Sequence, residues 1–134
     1  MKTVKLLMVA LLLAVSGTAN AQLNREQIKY CLEEFCKSYY NDAFSPKQYI
    51  ESSLVITTVE PDKIKGGYIV KGKHGYRGQY IPFYGRKPHS NVDYKAEVKE
   101  TNYGIEIKFW KWYEPDVRDP QGHWEGPCEK TIIP

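Results

Sequence analysis

The sequence predicts an α+β domain in which an N-terminal helix packs on a curved antiparallel β-sheet of about five strands. Apolar residues near the start recur at helical spacing, whereas from Leu54 onward they alternate with polar residues. The chain is also rich in aromatic residues, with eleven Tyr, four Phe and three Trp. Aromatic and β-branched side chains favour strands, so we expect the bulk of the domain to be sheet.

The first 21 residues have the pattern of a secretory signal. Two lysines among the first five residues precede ten apolar residues, Leu6–Val15, and Ala19-Asn20-Ala21 matches an A-x-A cleavage site. We therefore expect cleavage after Ala21 and a single domain over residues 22–134, located in the periplasm or outside the cell.

Cleavage would also change the charge. Lys2 and Lys5 leave with the signal, so the formal net charge falls from +3 to about +1. Such a low charge argues against strong non-specific binding to nucleic acid. No second long apolar run follows the signal, which predicts that the mature chain does not span a membrane.

The segment Asn24–Asn41 is predicted to be the helix. Asn24 is a favourable N-cap, and Gln27 completes a capping box. One apolar stripe, typical of a core-facing surface, then contains Ile28, Leu32, Phe35 and Tyr39.

Two further local signals follow from this helix. Glu33 and Lys37 have the spacing of an i,i+4 ion pair on its outer face. Ser45-Pro46 is a second helix-start signal and predicts a short helical turn through Ile50.

The remaining segments are assigned from alternation, glycine and proline. Short strands are predicted over 54–59 and 68–71, a glycine-rich turn over 72–78, a strand over 79–84, a loop over 86–91 and a final strand over 129–133. Pro82 restricts the strand over 79–84 to a sheet edge or a bulge.

The clearest pattern is a hairpin of Val92–Lys99 and Gly104–Tyr113, joined by a turn over 101–104. One register satisfies both faces. It places Val98 opposite Ile107 and Ala96 opposite Phe109 inside, and Lys99 opposite Glu106 and Glu97 opposite Lys108 outside. A one-residue slip would turn the apolar set outward, so the register is well specified.

The resulting order of elements resembles that of cystatin-like and NTF2-like domains. The resemblance is one of element order, without a motif. It implies a fold outline and no activity.

The predicted export makes a disulfide expected, since three cysteines remain after cleavage. Cys31 and Cys36 both fall in the predicted helix, where they would lie too far apart around its axis to bridge each other. We therefore expect Cys128 to pair with either Cys36 or Cys31, with the third thiol left over.

Trp110 and Trp112 are the first candidate binding residues. The hairpin register places both rings on its charged face, where an exposed aromatic pair could anchor a protein or a sugar ring. The alternative is that this face is covered, either by the helix or by the connector that carries Trp124. Lys95 is opposite Trp110 and is expected to make a cation–π contact.

The second candidate is the basic region 63–92, which contains no acidic residue. Flexible basic loops with interleaved aromatic rings suit a polyanion. The cations for this role are Lys71, Lys73, Arg77, Arg86 and Lys87. The alternative is that they are solvated strand edges that prevent aggregation.

The connector after Tyr113 supplies two weaker candidates. A metal site could be formed by Asp116, Asp119, His123 and Glu125, although the spacing matches no EF-hand and one His is few for zinc. Phosphodiester hydrolysis could use Arg118 for the phosphate, His123 as the acid and Glu97 or Glu106 as the base.

Together these observations predict a non-enzymatic binding module exported to the bacterial envelope. It would present Trp110, Trp112, Trp124 and Lys95 to a protein or glycan partner, without a cofactor. The alternatives are a small secreted ribonuclease-like hydrolase and a polyanion-binding protein.

Overall fold

The computed structural model describes residues 23–133, which form one helix and six strands. The helix α1 spans Arg25–Ala43. The strands are β1 Gln48–Tyr49, β2 Val55–Pro61, β3 Tyr68–Ile81, β4 Gly85–Thr101, β5 Gly104–Tyr113 and β6 His123–Ile132. The predicted signal over residues 1–21 lies outside the described residues. Within residues 23–133, no helix has both the length and the hydropathy of a membrane span.

All strand pairs are antiparallel, in the order β1-β3-β4-β5-β6, and β2 also pairs with β3. β1 and β2 follow one another along the same edge of β3, with Tyr49 opposite Tyr76 and Val55 opposite Lys73. The predicted α+β fold is confirmed, with six strands rather than about five. Its likeness to cystatin-like and NTF2-like domains is one of element order alone.

The helix begins where the capping box predicts. The Gln27 N–H donates to Asn24 Oδ1 and the Asn24 N–H donates to Gln27 Oε1, both at 2.8 Å. The buried face is wider than the predicted stripe, because it also includes Cys31 and Cys36, and Tyr40 rather than Tyr39 is fully buried. It contains Ile28, Cys31, Leu32, Phe35, Cys36 and Tyr40.

Two local predictions around the end of α1 are wrong, because the residues concerned make other contacts. Lys37 contacts Glu34 at 3.7 Å rather than Glu33. Glu33 instead accepts a 2.7 Å hydrogen bond from the Tyr49 hydroxyl, which itself accepts from the Leu54 N–H. These contacts hold Tyr49 in β1, so the helical turn predicted through Ile50 is wrong.

The glycine-rich turn predicted over 72–78 is also wrong, because β3 continues through it. A Cβ at Gly72 would lie 2.0 Å from the Val55 carbonyl oxygen and 2.8 Å from the Tyr94 hydroxyl. Glycine at this position therefore makes room for β2 and an aromatic ring instead of reversing the chain. The loop predicted over 86–91 is likewise strand, and the reversal occurs over 82–84.

The hairpin of β4 and β5 has the predicted register. The four predicted pairs, Val98–Ile107, Ala96–Phe109, Lys99–Glu106 and Glu97–Lys108, are all present. β6 begins at His123 rather than at residue 129, because Trp124 pairs with Trp112 and His123 pairs with Tyr113. It therefore forms a longer edge strand than alternation alone indicated.

The core lies between α1 and one face of the sheet, which we call the inner face. Phe35 of α1 stacks on Phe109 of β5 with ring centroids 5.1 Å apart. The buried apolar residues of the core are drawn from the chain between Leu23 and Ile132. Every residue of this described core therefore lies within residues 23–132.

The predicted disulfide is wrong, since all three cysteines are free. Cys31 and Cys36 are buried on the core-facing side of α1. Cys128 lies beside the end of α1 and donates from Sγ to the Ala43 carbonyl at 3.3 Å. Burial raises the pKa of all three thiols, that of Cys31 to about 12. Local spacing could not show which part of the helix β6 approaches.

We expect iodoacetamide to modify Cys128 first in the folded protein, because it is only half-buried. Cys31 and Cys36 should react only after unfolding, since each is at most 1% exposed. Mass spectrometry of labelled peptides measures this order, and Cys128→Ser is the control that should remain unlabelled when native. A disulfide-linked peptide in the untreated protein would contradict it.

Candidate functional site

Three indoles gather on the face of the sheet opposite α1, which we call the outer face. Trp110 and Trp112 alternate along β5 with the buried Phe109 and Lys111. Trp124 of β6 pairs with Trp112, and the two rings meet edge to face with centroids 5.2 Å apart. The strand period of two thus directs Trp110 and Trp112 to one side, as the sequence predicted.

Lys95 of β4 completes this group. It is directly opposite Trp110, and its Nζ lies 5.4 Å from the Trp110 ring centroid and 4.6 Å from that of Trp124. The predicted cation–π contact with Trp110 is therefore present. We call Trp110, Trp112, Trp124 and Lys95 the outer aromatic cluster.

The end of the connector and the start of β6 cover part of this cluster, while α1 lies on the other face. A Cβ at Gly122 would lie 2.7 Å from the Trp112 ring, and one at Gly126 would lie 3.2 Å from that of Trp110. These two glycines allow the backbone to lie against the rings. Trp110 and Trp112 are consequently half-buried, and Trp124 is the most accessible indole at 38% exposure.

The five cations of the proposed polyanion set lie on strands and not on flexible loops. Lys71, Lys73 and Arg77 are exposed along β3, and Lys73 forms a 2.8 Å ion pair with Asp93. Arg86 donates to the carbonyls of Pro46 and Gly78, so part of its hydrogen-bonding capacity is used within the fold. Lys87 is exposed nearby on β4.

The proposed hydrolase residues are not brought together. Glu106 is opposite Thr131, which lies eight residues along β6 from His123, about 26 Å away. Glu97 is opposite Lys108, whose β6 partner Glu129 is about 20 Å from His123.

His123, the first residue of β6, instead belongs to a local cluster with residues of the connector. Its Nδ1 lies 2.6 Å from Asp119 Oδ2, and its ring stacks on Tyr113 at 4.7 Å. Asp116 Oδ1 accepts from the N–H groups of Arg118 and Asp119 at 2.8 Å, which shapes the turn.

The proposed metal ligands are divided between this turn and the sheet. Asp119 and His123 meet, but the Glu125 carboxylate is engaged by Lys111. Within residues 23–133, no group of three or more His, Cys, Asp or Glu side chains is arranged to hold a metal ion.

The inner face contains a buried cation that the sequence analysis missed. Lys111 is 0% exposed; it forms an ion pair with Glu125, and its Nζ lies 4.8 Å from the Tyr76 ring centroid. Burial is the main cause that lowers the pKa of Lys111. The burial of Lys111 could have been predicted from the sequence. Ile107 and Phe109 face the core, and the same alternation places residue 111 on that face.

His74 is a second buried polar residue, and it lies next to this region. Its Nδ1 is 2.8 Å from the Val92 carbonyl oxygen, which can only accept, so Nδ1 carries the proton. Nε2 then accepts from the Tyr40 hydroxyl at 3.3 Å. Burial lowers the pKa of His74 to about 4, so its imidazole is neutral near pH 7.

His74 therefore adds no cation to the basic region at neutral pH. Both His74 and Lys111 lie on the core side of the sheet, whereas the outer aromatic cluster lies on the accessible side.

Comparison with known proteins assigns no function to the buried polar residues or to the outer aromatic cluster. No family model, curated protein or solved structure matches this chain.

Proposed function

We propose that this protein is a non-enzymatic binding module of the bacterial envelope, and that the outer aromatic cluster contacts its protein or glycan partner. One observation carries the proposal: three indoles and a lysine meet on the sheet face opposite α1, where Trp124 is 38% exposed. Aromatic side chains on a rigid strand supply contact area with little loss of conformational entropy on binding.

The charge beside the cluster favours an acidic partner. Lys95 is directly opposite Lys71 on β3, so two cations are neighbours on the outer face. Like charges on directly opposed residues destabilise a sheet unless something compensates for them. A carboxylate of the partner, from an acidic side chain or a uronic acid, would provide that compensation.

Export to the envelope is the second part of the proposal, and it rests on the sequence. The basic start, the apolar segment Leu6–Val15 and the A-x-A site support secretion with cleavage after Ala21. The mature protein would then act in the periplasm or outside the cell.

Trp124→Ala is expected to weaken partner binding by about 30-fold, which is typical of an interfacial tryptophan hot spot. Residues 22–134 serve as bait for capture from envelope extract, and calorimetry with the isolated partner then measures the Kd. Trp124 is preferred to Trp110 and Trp112 for this test, because those rings are half-buried and their removal would also affect stability.

Tyr103→Ala is the matched control, since Tyr103 is an exposed aromatic residue in the turn between β4 and β5. It should bind like the wild type. If Trp124→Ala remains folded and retains the same partner with unchanged Kd, the cluster is not the binding surface.

A further inference from the structure

The hairpin of β3 and β4 extends beyond the rest of the sheet. β1 pairs with β3 only as far as Arg77, and β5 pairs with β4 only as far as Tyr94. Among the described strands, residues 78–87 therefore pair only with each other. We call residues 78–87 the arm.

The end of the arm consists of exposed apolar residues. Phe83 is fully exposed, Tyr84 is 86% exposed, and Tyr80 and Ile81 are each more than half exposed. Four large apolar or aromatic side chains within five consecutive residues make a concentrated patch, unlike isolated exposed residues elsewhere on the surface. Exposed apolar patches are typical of surfaces that contact a partner protein, a ligand or a membrane.

The backbone at this end is strained in a way that displays Phe83. The Tyr84 N–H donates to the Ile81 carbonyl at 3.0 Å, Pro82 follows Ile81, and Phe83 has φ 71°. This is a type II turn, in which the position of Phe83 favours glycine. A bulky ring at a strained position is often retained for a function of that side chain.

Cations lie behind the apolar end. Arg77 and Lys87 are exposed where the arm leaves the sheet, and Arg86 is held there by the carbonyls of Pro46 and Gly78. The sequence between Asp62 and Asp93 contains no acidic residue. Glu114 approaches only the base of the hairpin, where Oε2 lies 3.9 Å from His89 Nδ1.

We propose that the arm docks on the surface of an anionic lipid bilayer. Phe83, Tyr84 and Ile81 enter the interface between headgroups and acyl chains, while Arg77 and Lys87 contact the phosphates. The order along the arm, with apolar residues at the end and cations behind them, matches the order of acyl chains and headgroups across a bilayer surface. Tyrosine is also enriched at this depth in membrane proteins.

This proposal is independent of the proposed function. The outer aromatic cluster lies on β4, β5 and β6, outside the arm. Trp124→Ala should therefore leave lipid binding unchanged, and variants of the arm should leave partner capture unchanged. Failure of one proposal does not imply failure of the other.

The test is flotation of residues 22–134 with vesicles of phosphatidylcholine and phosphatidylglycerol, compared with vesicles of phosphatidylcholine alone. We expect binding to the anionic vesicles that weakens as salt screens the cations. Phe83→Gly should reduce the partition coefficient at least about tenfold, because an aromatic side chain is no longer buried. Glycine suits φ 71°, so this variant should fold.

Two further variants complete the design. Tyr103→Ser removes an exposed aromatic residue from the next hairpin turn and should bind vesicles like the wild type. Arg77→Gln with Lys87→Gln should weaken binding to the anionic vesicles. The proposal is overturned if the wild type stays in solution with those vesicles, which would leave the apolar end for a protein partner. It is equally overturned if Phe83→Gly binds them as well as the wild type does.

Discussion

Replacing Glu125 by alanine is expected to destabilise the protein by about 3–5 kcal/mol, because the substitution leaves the buried ammonium of Lys111 without its counter-charge. Lys111→Met is expected to change the free energy of unfolding much less. Methionine fills a similar apolar volume, and the Glu125 carboxylate, which is partly exposed, can turn to water. Urea unfolding of both variants measures this asymmetry.

A surface ion pair provides the control. Lys108 and Glu129 lie 3.5 Å apart on the outer face, and their side chains are 35% and 59% exposed. Glu129→Ala should therefore cost less than about 1 kcal/mol. Glu125→Gln keeps a hydrogen-bond acceptor for Lys111 and should fall between the two alanine variants. Equal losses for Glu125→Ala and Glu129→Ala would mean that water reaches the Lys111 ammonium.

Acid is expected to destabilise the protein through His74. Its pKa is lowered from 6.5 to about 4, first by burial and also by the charge of Lys111, against the opposing effects of the Val92 carbonyl and Asp93. Between these two pH values the unfolded chain binds a proton that the folded protein excludes. The contribution of neutral His74 to the free energy of unfolding is complete above pH 6.5. It falls by about 3 kcal/mol as the pH decreases to about 4.

Urea unfolding at a series of pH values tests this dependence. His74→Gln should remove most of the fall over this interval, whatever its effect on stability at neutral pH. His123→Gln controls for the loss of one imidazole, because His123 is exposed and lies at the start of β6, away from the core. Burial also lowers the pKa of His89, which adds a contribution of the same sign in both variants. A His74→Gln profile parallel to that of the wild type would show that His74 does not cause the fall.

The features that were predicted correctly depend on neighbours in sequence. The capping box of Asn24 and Gln27 spans one helical turn, and the register of β4 and β5 follows from two opposed patterns joined by a short turn. In that hairpin, apolar pairing inside and opposite charges outside select the same alignment, so no distant contact is needed.

The outer aromatic cluster was predictable in part. Strand alternation placed Trp110 and Trp112 on one side and Lys95 opposite Trp110. Trp124 was expected in the same surface, but its pairing with Trp112 was not predictable from alternation, because nine residues, 114–122, separate β5 from β6. Glycines at 122 and 126 allow the returning backbone to lie against these rings. No local sequence pattern indicates that a side chain at either position would meet a ring.

Local periodicity and capping were enough to predict the helix and its start, the central hairpin with its register, and the α+β class. The tertiary structure alone decided that Gly72 lies within a strand, that Cys128 meets Ala43 instead of a cysteine, and that Lys111 and His74 are buried. These features depend on which distant backbone comes within contact distance. Burial and its effect on pKa arise only when the sheet and α1 enclose those side chains together.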